Sequence, residues 1–93
     1  VMNFRDITDR GREEEERFRN AAVLATAKRC RLTNSEREVL ALMVEGKSNL
    51  QIAQKLVTSG STVKFHVGHI LGKLGVTNRI EAVALVLRHQ PPA

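Results

Sequence analysis

The sequence of this 93-residue chain contains little cysteine and no long apolar run. It contains one cysteine, so no disulfide bond can form within the chain, and this composition is typical of cytoplasmic proteins. No apolar run approaches the length of a membrane span, and no signal-peptide pattern is present. We therefore expect one small cytoplasmic domain with no membrane partner.

Aromatic residues are also scarce, with three phenylalanines and neither tryptophan nor tyrosine. Proteins that bind RNA or single-stranded DNA usually stack bases on aromatic side chains, so this scarcity argues against both ligands. The formal net charge is +5 and the sequence pI is about 10.2, which favours an acidic partner. Double-stranded DNA is the acidic partner that fits this composition best.

Motifs of enzymatic chemistry are missing from the sequence. It has no Gly-rich phosphate loop, no nucleophile motif and no paired acids in a plausible cleft. His66 and His69 have a metal-ligand spacing on a helix, but no third ligand clusters with them. We predict that the chain is not an enzyme and holds neither a metal nor a cofactor.

The stretch from Ser59 to Leu74 predicts one amphipathic helix at 100° per residue. Its apolar side comprises Val63, Val67, Ile70, Leu71 and Leu74. Its outward side lacks the mixed charges of a solvated surface and comprises Ser61, Lys64, Phe65, Gly68 and Gly72. Each glycine costs about 1 kcal/mol relative to alanine in a helix interior, and close approach to a partner would offset that cost. We therefore predict that this helix lies in a DNA groove.

Start and stop signals predict three further helices around this one. Thr33 with Glu36, and Ser48 with Gln51, are capping boxes that open helices at 34–45 and 49–56. Asn78 with Glu81 caps a last helix at 79–89. No strand pattern appears, so the fold class is all-α. A short helix, a tight turn and a longer helix with an unusual outer face form a helix-turn-helix arrangement.

Residues 1–31 differ in composition from the rest and predict an N-terminal helical arm. The first eleven residues look irregular, and a helix is expected from Arg12 to Arg29. Its apolar stripe is thin and comprises Phe18, Ala21, Ala22 and Ala25, with Val23 and Leu24 to one side. Such a helix cannot form a core alone, so it is either a dimer-forming arm or a solvated linker.

Cys30 ends this arm between two arginines. Neighbouring cations stabilise a thiolate, so one exposed cysteine per chain would allow an inter-chain disulfide in a dimer and an exchange with a thiol-redox partner. The alternative is an inert free thiol.

The last helix is apolar on two sides, and a helix of this kind is buried on both. One side has Ile80, Val83, Ala84 and Leu87. The opposite side has Ala82, Leu85, Val86 and His89. We predict a homodimer with this second side, Leu85 and Val86 above all, near the two-fold axis, and with Phe18 of the arm contributing. The alternative is that the arm covers this side.

Five motifs stand in order over about residues 32–89: L-T-x-x-E-x-E-V-L, G-x-S-N-x-x-I-A, T-V-K-x-H, K-L-G-V and R-x-x-A-V. With them the chain resembles the LuxR-type (NarL/FixJ, GerE) DNA-binding domain. The resemblance implies a four-helix domain at 32–93 after the arm, with the third helix in the major groove and dimerisation through the fourth. It also implies transcription regulation in the bacterial cytoplasm, at the nucleoid, or in a plastid.

Carried over by position, the resemblance places Lys64 and Phe65 where the family contacts bases or phosphates. We expect Lys64 to pair with a phosphate or a guanine edge and Phe65 to contact a thymine methyl. Gly68 stands where some relatives have a contacting lysine, and Ser35 and Leu50 depart from the usual pattern. The full set of predicted DNA-binding residues is Lys47, Ser48, Asn49, Ser61, Thr62, Lys64, Phe65, Gly68, His69 and Lys73.

Two alternatives to a DNA-reading homodimer remain at this point. In the first alternative the domain is a dimerising interaction module, which the missing contact at Gly68 would favour. In the second it is the output domain of a larger response regulator. Most family members carry an additional N-terminal domain that thirty-one residues cannot form. We therefore expect a small stand-alone member, similar to the cyanobacterial and plastid regulators of the PedR type and responsive to light or redox state.

Overall fold

A computed structural model describes the backbone of residues 4–88 and the side chains of residues 16–88. Within that range the chain forms helices and no strand, so the predicted all-α fold is confirmed. The helices are α1 (Phe4–Cys30), α2 (Asn34–Val44), α3 (Asn49–Leu56), α4 (Gly60–Leu74) and α5 (Arg79–Arg88). None of the helices in the described part is long and apolar enough to cross a membrane.

The predicted caps determine where the short helices begin. In the first capping box the Thr33 hydroxyl accepts from the Glu36 N–H at 3.2 Å, and the Glu36 carboxylate accepts from the Thr33 N–H at 2.8 Å. Ser48 and Gln51 exchange the same pair of bonds. These bonds satisfy backbone donors that a helix start would otherwise leave unpaired. The Ser59 hydroxyl and the Asn78 side chain cap α4 and α5 in the same way.

The start of α1 lies earlier than the sequence indicates. Residues 1–11 were expected to be irregular, but α1 is already helical at Phe4 and runs through Gly11 for 27 residues in all. This stretch has no proline, and a single interior glycine costs only about 1 kcal/mol in a helix. That cost is too small to break a helix of this length, so the expectation for residues 4–11 is wrong. Residues 1–3 lie outside the described part.

The buried face of α1 also differs from the predicted stripe. The buried side chains are Ala22, Val23, Thr26 and Ala27, whereas Phe18, Ala21 and Ala25 are exposed. The reason lies in Thr26, whose hydroxyl donates to the Ala22 carbonyl oxygen at 2.9 Å. Because its hydroxyl is hydrogen-bonded within the helix, Thr26 can be buried at little cost. The buried face of α1 therefore includes Thr26 and is rotated away from Phe18, Ala21 and Ala25.

The core is built around α2, which packs against each of the other helices. Val63 and Ile70 on the inner face of α4 are buried against α2 and α3. From α2 and α3 the apolar spacing of the sequence predicts seven inward residues, of which Leu56 is half-buried and the others are buried: Val39, Leu40, Met43, Val44, Ile52 and Ala53. The largest fully buried side chains of the core include Leu40, Met43, Ile52, Ile70, Val39 and Val63. This packing fixes the angle between α3 and α4, on which any helix-turn-helix site depends.

The α5 helix corrects part of the predicted dimer surface. Ala82 and Val86 are fully buried because α1, α2 and α4 all pack against α5, so these two side chains belong to the core. The alternative, that the arm packs on this helix, is what the structure shows. The most exposed apolar side chain of α5 is instead Ile80, at 82%. Leu85 is half-buried, and the call on His89 lies outside the described residues.

The turn between α3 and α4 contains a strained residue. Val57 ends α3 with φ 54°, in the left-handed region, and its side chain is 91% exposed. A β-branched residue is disfavoured there by about 1–2 kcal/mol, and no burial compensates for the strain.

We expect Val57→Gly to stabilise the domain by about 0.5–1 kcal/mol, since relief of the strain exceeds the added entropy of the unfolded chain. Gly75 is the matched control because it ends α4 with φ 72°. There Gly75→Ala should destabilise by about 1 kcal/mol. The measurement is the free energy of unfolding in urea, and a lower value for Val57→Gly would contradict the strain.

Candidate nucleic-acid interface

The outward side of α4 forms a continuous exposed surface, which we call the outer face. It comprises Ser61, Lys64, Phe65, Gly68, His69 and Gly72. A Cβ atom added to Gly68 or Gly72 would meet no atom of another part of the described chain within 4 Å. The packing of the chain therefore does not require glycine at either position.

Two rings contact each other on the outer face in a tilted arrangement. The ring centroids of Phe65 and His69 lie 4.3 Å apart with an interplanar angle of 42°, as residues one helical turn apart allow. The ring of the half-buried His66 lies edge-on to that of Phe65, with the two ring centroids 6.0 Å apart and an interplanar angle of 67°. Even so, Phe65 keeps 62% of its surface exposed. A large apolar side chain held in place and left in solvent is typical of a contact site.

Polar groups at the starts of α3 and α4 flank this face. Ser48 and Thr62 are exposed, while Lys47 and Asn49 are half-buried. The Thr62 hydroxyl lies 2.9 Å from that of its capping residue. Hydroxyl, amide and ammonium groups at helix starts are suited to hold phosphate oxygens.

Arg79 is a positioning residue to which the sequence reasoning gave no role. From the first turn of α5 its guanidinium donates to the Asn49 side-chain oxygen at 2.6 Å and to the Lys47 carbonyl oxygen. It therefore fixes the loop before α3 against α5. The sequence feature that could have identified Arg79 is the motif R-x-x-A-V, which begins with this arginine.

Lys73, a predicted DNA contact, has partners within the chain. Its ammonium donates to the Glu36 carboxylate at 2.6 Å and to the Arg31 carbonyl oxygen at 3.3 Å, so it ties the end of α4 to the start of α2. A lysine engaged with a buried carboxylate is poorly placed to neutralise a phosphate. Because its ammonium is engaged within the chain, we expect Lys73 to contribute less to DNA binding than Lys64 does, and its DNA contact stays a prediction.

Glu36 is the buried partner in this ion pair, with 4% of its surface exposed. Burial alone would raise the pKa of its carboxyl group. Hydrogen bonds from the Lys73 side chain and from Thr33, together with the Lys73 charge, outweigh burial and hold the pKa below its ordinary value. The carboxylate therefore stays ionised at neutral pH and keeps both bonds.

Cys30, the last residue of α1, is half-buried and free. Among the side chains of residues 16–88, no three of His, Cys, Asp or Glu come together as a metal site would require.

A short helix and a longer one, joined by a tight turn and fixed on a common core, define a helix-turn-helix domain of the DNA-binding kind. Residues 31–86 match the family model described as bacterial regulatory proteins, luxR family, which is more than half of the chain. The chain therefore belongs to the LuxR family, as the sequence motifs indicated. This family is one of DNA-binding transcriptional regulators and not of enzymes, so DNA binding in transcription regulation is the function of the domain.

Curated relatives carry names consistent with this function. The chain is 52% identical over 54 residues to the probable transcriptional regulatory protein SgaR of Hyphomicrobium methylovorum, covering 58% of this chain and 26% of SgaR. It is 48% identical over 52 residues to the transcriptional regulatory protein DesR of Bacillus subtilis (strain 168), covering 56% of this chain and 26% of DesR. With the transcriptional activator protein SolR of Ralstonia solanacearum it shares 50% identity over 52 residues, or 56% of this chain and 22% of SolR. The chain thus spans about a quarter of the length of these relatives.

Proposed function

We propose that the domain binds specific sequences of double-stranded DNA with α4 in the major groove. The outer face of α4 is the observation that carries this proposal. An α-helix with its side chains is about 10–12 Å across, and the major groove is about 12 Å wide. The two glycines on this face, which packing within the chain does not require, would allow the helix to enter deeply.

The expected contacts are of two kinds, those with phosphates, which position the domain on the duplex, and those with base edges, which recognise the sequence. Lys64 is exposed at the centre of the first half of α4, where its ammonium would meet a phosphate or a guanine edge. The polar groups at the helix starts would hold phosphates on either side, and they are Lys47, Ser48, Asn49, Ser61 and Thr62. Because Arg79 fixes the loop before α3, we expect these phosphate contacts to have one defined register.

A homodimer is part of the proposal. Two copies related by a two-fold axis would place their α4 helices in half-sites about 34–36 Å apart. The apolar surface available for pairing comprises Phe18, Leu24, Ile80 and Leu87, all exposed, and the half-buried Leu85. Such a regulator would act in the cytoplasm at the nucleoid, or in a plastid.

A redox response through Cys30 stays a prediction. The half-buried thiol is partly accessible, and two thiols from two copies would form a disulfide as an added oxidant such as diamide takes up their two electrons and two protons. Non-reducing electrophoresis checks this. Wild type should cross-link with diamide and Cys30→Ser should not, whereas equal behaviour of the two proteins would exclude the response.

The test of the proposed function is a salt titration of binding to a selected duplex and to random duplex DNA. We expect the selected site to bind at least about a thousandfold more tightly than random DNA. Lys64→Ala should weaken binding about tenfold and reduce the slope of log K against log salt by about 1.

Lys55→Ala is the matched control, since it removes the same charge from the neighbouring helix. The Lys55 side chain lines a shallow groove of about 320 Å³ between α2 and α3, together with Glu38 and Glu45, away from the outer face. Its loss should change binding by less than about twofold, because a charge beside two carboxylates contributes little to the potential at the DNA. Weak binding that is equal on all sequences and disappears with salt would favour the interaction-module alternative.

A further inference from the structure

We propose that the groove between α2 and α3 is a docking site for a second protein, which inserts an apolar side chain flanked by lysine or arginine. The groove has a volume of about 320 Å³ and is lined by Glu38, Ala41, Leu42, Glu45, Lys55 and Leu56. Because no residue of the outer face of α4 lines this groove, docking there is a property separate from the DNA binding proposed above.

The floor of the groove is apolar. Leu42 is buried and packs in the core, while Ala41 and Leu56 are half-buried beside it, so both helices contribute to the floor. A volume of about 320 Å³ is at the lower end of the range for ligand pockets, about 300–1,000 Å³. A shallow groove of this size leaves a small molecule largely in solvent, but it can cover one apolar side chain that a helix presents. An apolar side chain of a protein partner is therefore the occupant that fits the floor.

Two carboxylates form the rim of the groove on the α2 side. Glu38 and Glu45 are both exposed and lie seven residues apart, which is about 10.5 Å along the helix axis. The apolar floor residues of α2 lie between them in the sequence. A partner helix that lies along the groove would match this rim with two cations at a similar spacing and an apolar residue between them.

The two rim carboxylates have no structural partner in the described part of the chain. Residues 32–88 contain four acidic residues. Glu36 forms the ion pair with Lys73, and Glu81 accepts backbone and side-chain hydrogen bonds at the start of α5. Glu38 and Glu45 take part in no ion pair among the described residues, so both remain available to a ligand.

The charge of the rim selects a basic partner. The chain as a whole is cationic, but the Debye length is about 8 Å at physiological ionic strength, so a group held over the groove responds chiefly to the rim. Phosphates are repelled by the two carboxylates, which excludes nucleic acid as the occupant. Lys55 lines the α3 side of the groove and repels cations there, so the partner's lysine or arginine residues belong on the α2 side.

The experiment selects binders of the full chain from a phage-displayed library of random peptides and measures the affinity of the enriched peptides by fluorescence anisotropy. We expect these peptides to carry lysine or arginine around a leucine, isoleucine or phenylalanine. The double variant Glu38→Gln, Glu45→Gln should weaken their binding about fivefold, the combined value of two exposed ion pairs. Its melting temperature should stay within a few degrees of wild type, because both side chains are exposed. The absence of enriched peptides, enriched peptides without cations, or equal binding to wild type and the double variant overturns the proposal.

Three further variants test the groove itself. Lys55→Ala should strengthen peptide binding about twofold, since it removes a like charge from the rim. Glu81→Gln is the matched control, because it neutralises an exposed carboxylate that does not line the groove, and it should change binding less than about 1.5-fold. Ala41→Leu fills the groove from its floor and should weaken binding at least about tenfold. If Ala41→Leu binds the peptides as wild type does, charge alone holds them and apolar docking is overturned.

These outcomes are distinct from failure of the proposed function. Lys64→Ala, which should weaken DNA binding, should leave peptide binding unchanged, and a saturating duplex should not displace the peptides. If the peptides bind through the groove but no duplex binds more tightly than random DNA, docking stands and the proposed function fails. If a duplex displaces the peptides, the groove is not a separate site and docking is overturned.

Discussion

Glu36→Ala should lower the free energy of unfolding by about 2–3 kcal/mol, which is a large fraction of the stability of a small domain. The carboxylate accepts hydrogen bonds from the Thr33 N–H and the Lys73 ammonium, so the variant loses one of the two bonds of the α2 capping box together with the ion pair that joins α2 to α4. Lys73 is partly exposed and can turn to solvent, which keeps the loss below that of a fully buried pair. Urea denaturation measures it.

Glu81→Ala is the matched control for this loss. Glu81 likewise accepts a backbone N–H, that of Thr77 at 3.0 Å, near the start of its helix, but it is exposed and pairs with no lysine in the described part of the chain. We expect its removal to cost about 1 kcal/mol or less. Equal losses for the two variants would mean that the Lys73 tie contributes nothing.

The same carboxylate should make stability depend on pH. Because its pKa is lower in the folded chain than its ordinary value of 4.5, the folded state holds the proton less tightly than the unfolded state. The contribution is therefore complete above the ordinary pKa and is lost as the pH falls through the lowered one. Wild type and Glu36→Gln should differ most near neutral pH and converge in acid. A constant difference down to pH ~2 would contradict the ion pair.

Arg79→Ala should weaken DNA binding about tenfold on all sequences and destabilise the domain by about 1–3 kcal/mol. The guanidinium holds the Asn49 side chain and the Lys47 carbonyl, so without it the loop before α3 loses its fixed position. A misplaced loop weakens phosphate contacts, which carry no sequence information. Binding should be measured by fluorescence anisotropy, well below the melting temperature of the variant.

Arg88→Ala controls for charge, since it removes one arginine from the exposed end of the same helix. It should change affinity less than about twofold. Arg79→Lys should recover the charge but not both hydrogen bonds, so we expect an intermediate affinity. Arg79→Ala and Arg88→Ala with the same affinity would show that Arg79 does not position the loop.

Local interactions explain why so much of this fold could be predicted from the sequence. A capping box joins residues three apart, so both boxes and the bounds of α3 and α4 follow from short stretches of sequence. The outer face of α4 was predicted for the same reason, because periodicity within one helix separates its inner and outer sides.

Interactions between distant residues explain what could not be predicted. Lys73 and Glu36 are 37 residues apart, and Arg79 and Asn49 are 30 apart. No local pattern shows which of fifteen cations turn toward the protein and not toward a ligand. The burial of Ala82 and Val86 has the same origin, since it requires that α1 pack on α5.

The Lys73 ammonium also connects the end of α1 to α4. It holds the carbonyl of Arg31, the residue that directly follows α1, and it belongs to the last turn of α4. At 1.5 Å per residue, α1 is about 40 Å long, and the residue that follows its C-terminal end contacts this ammonium. A change in the position of the end of α1 would therefore disturb a hydrogen bond to the last turn of α4.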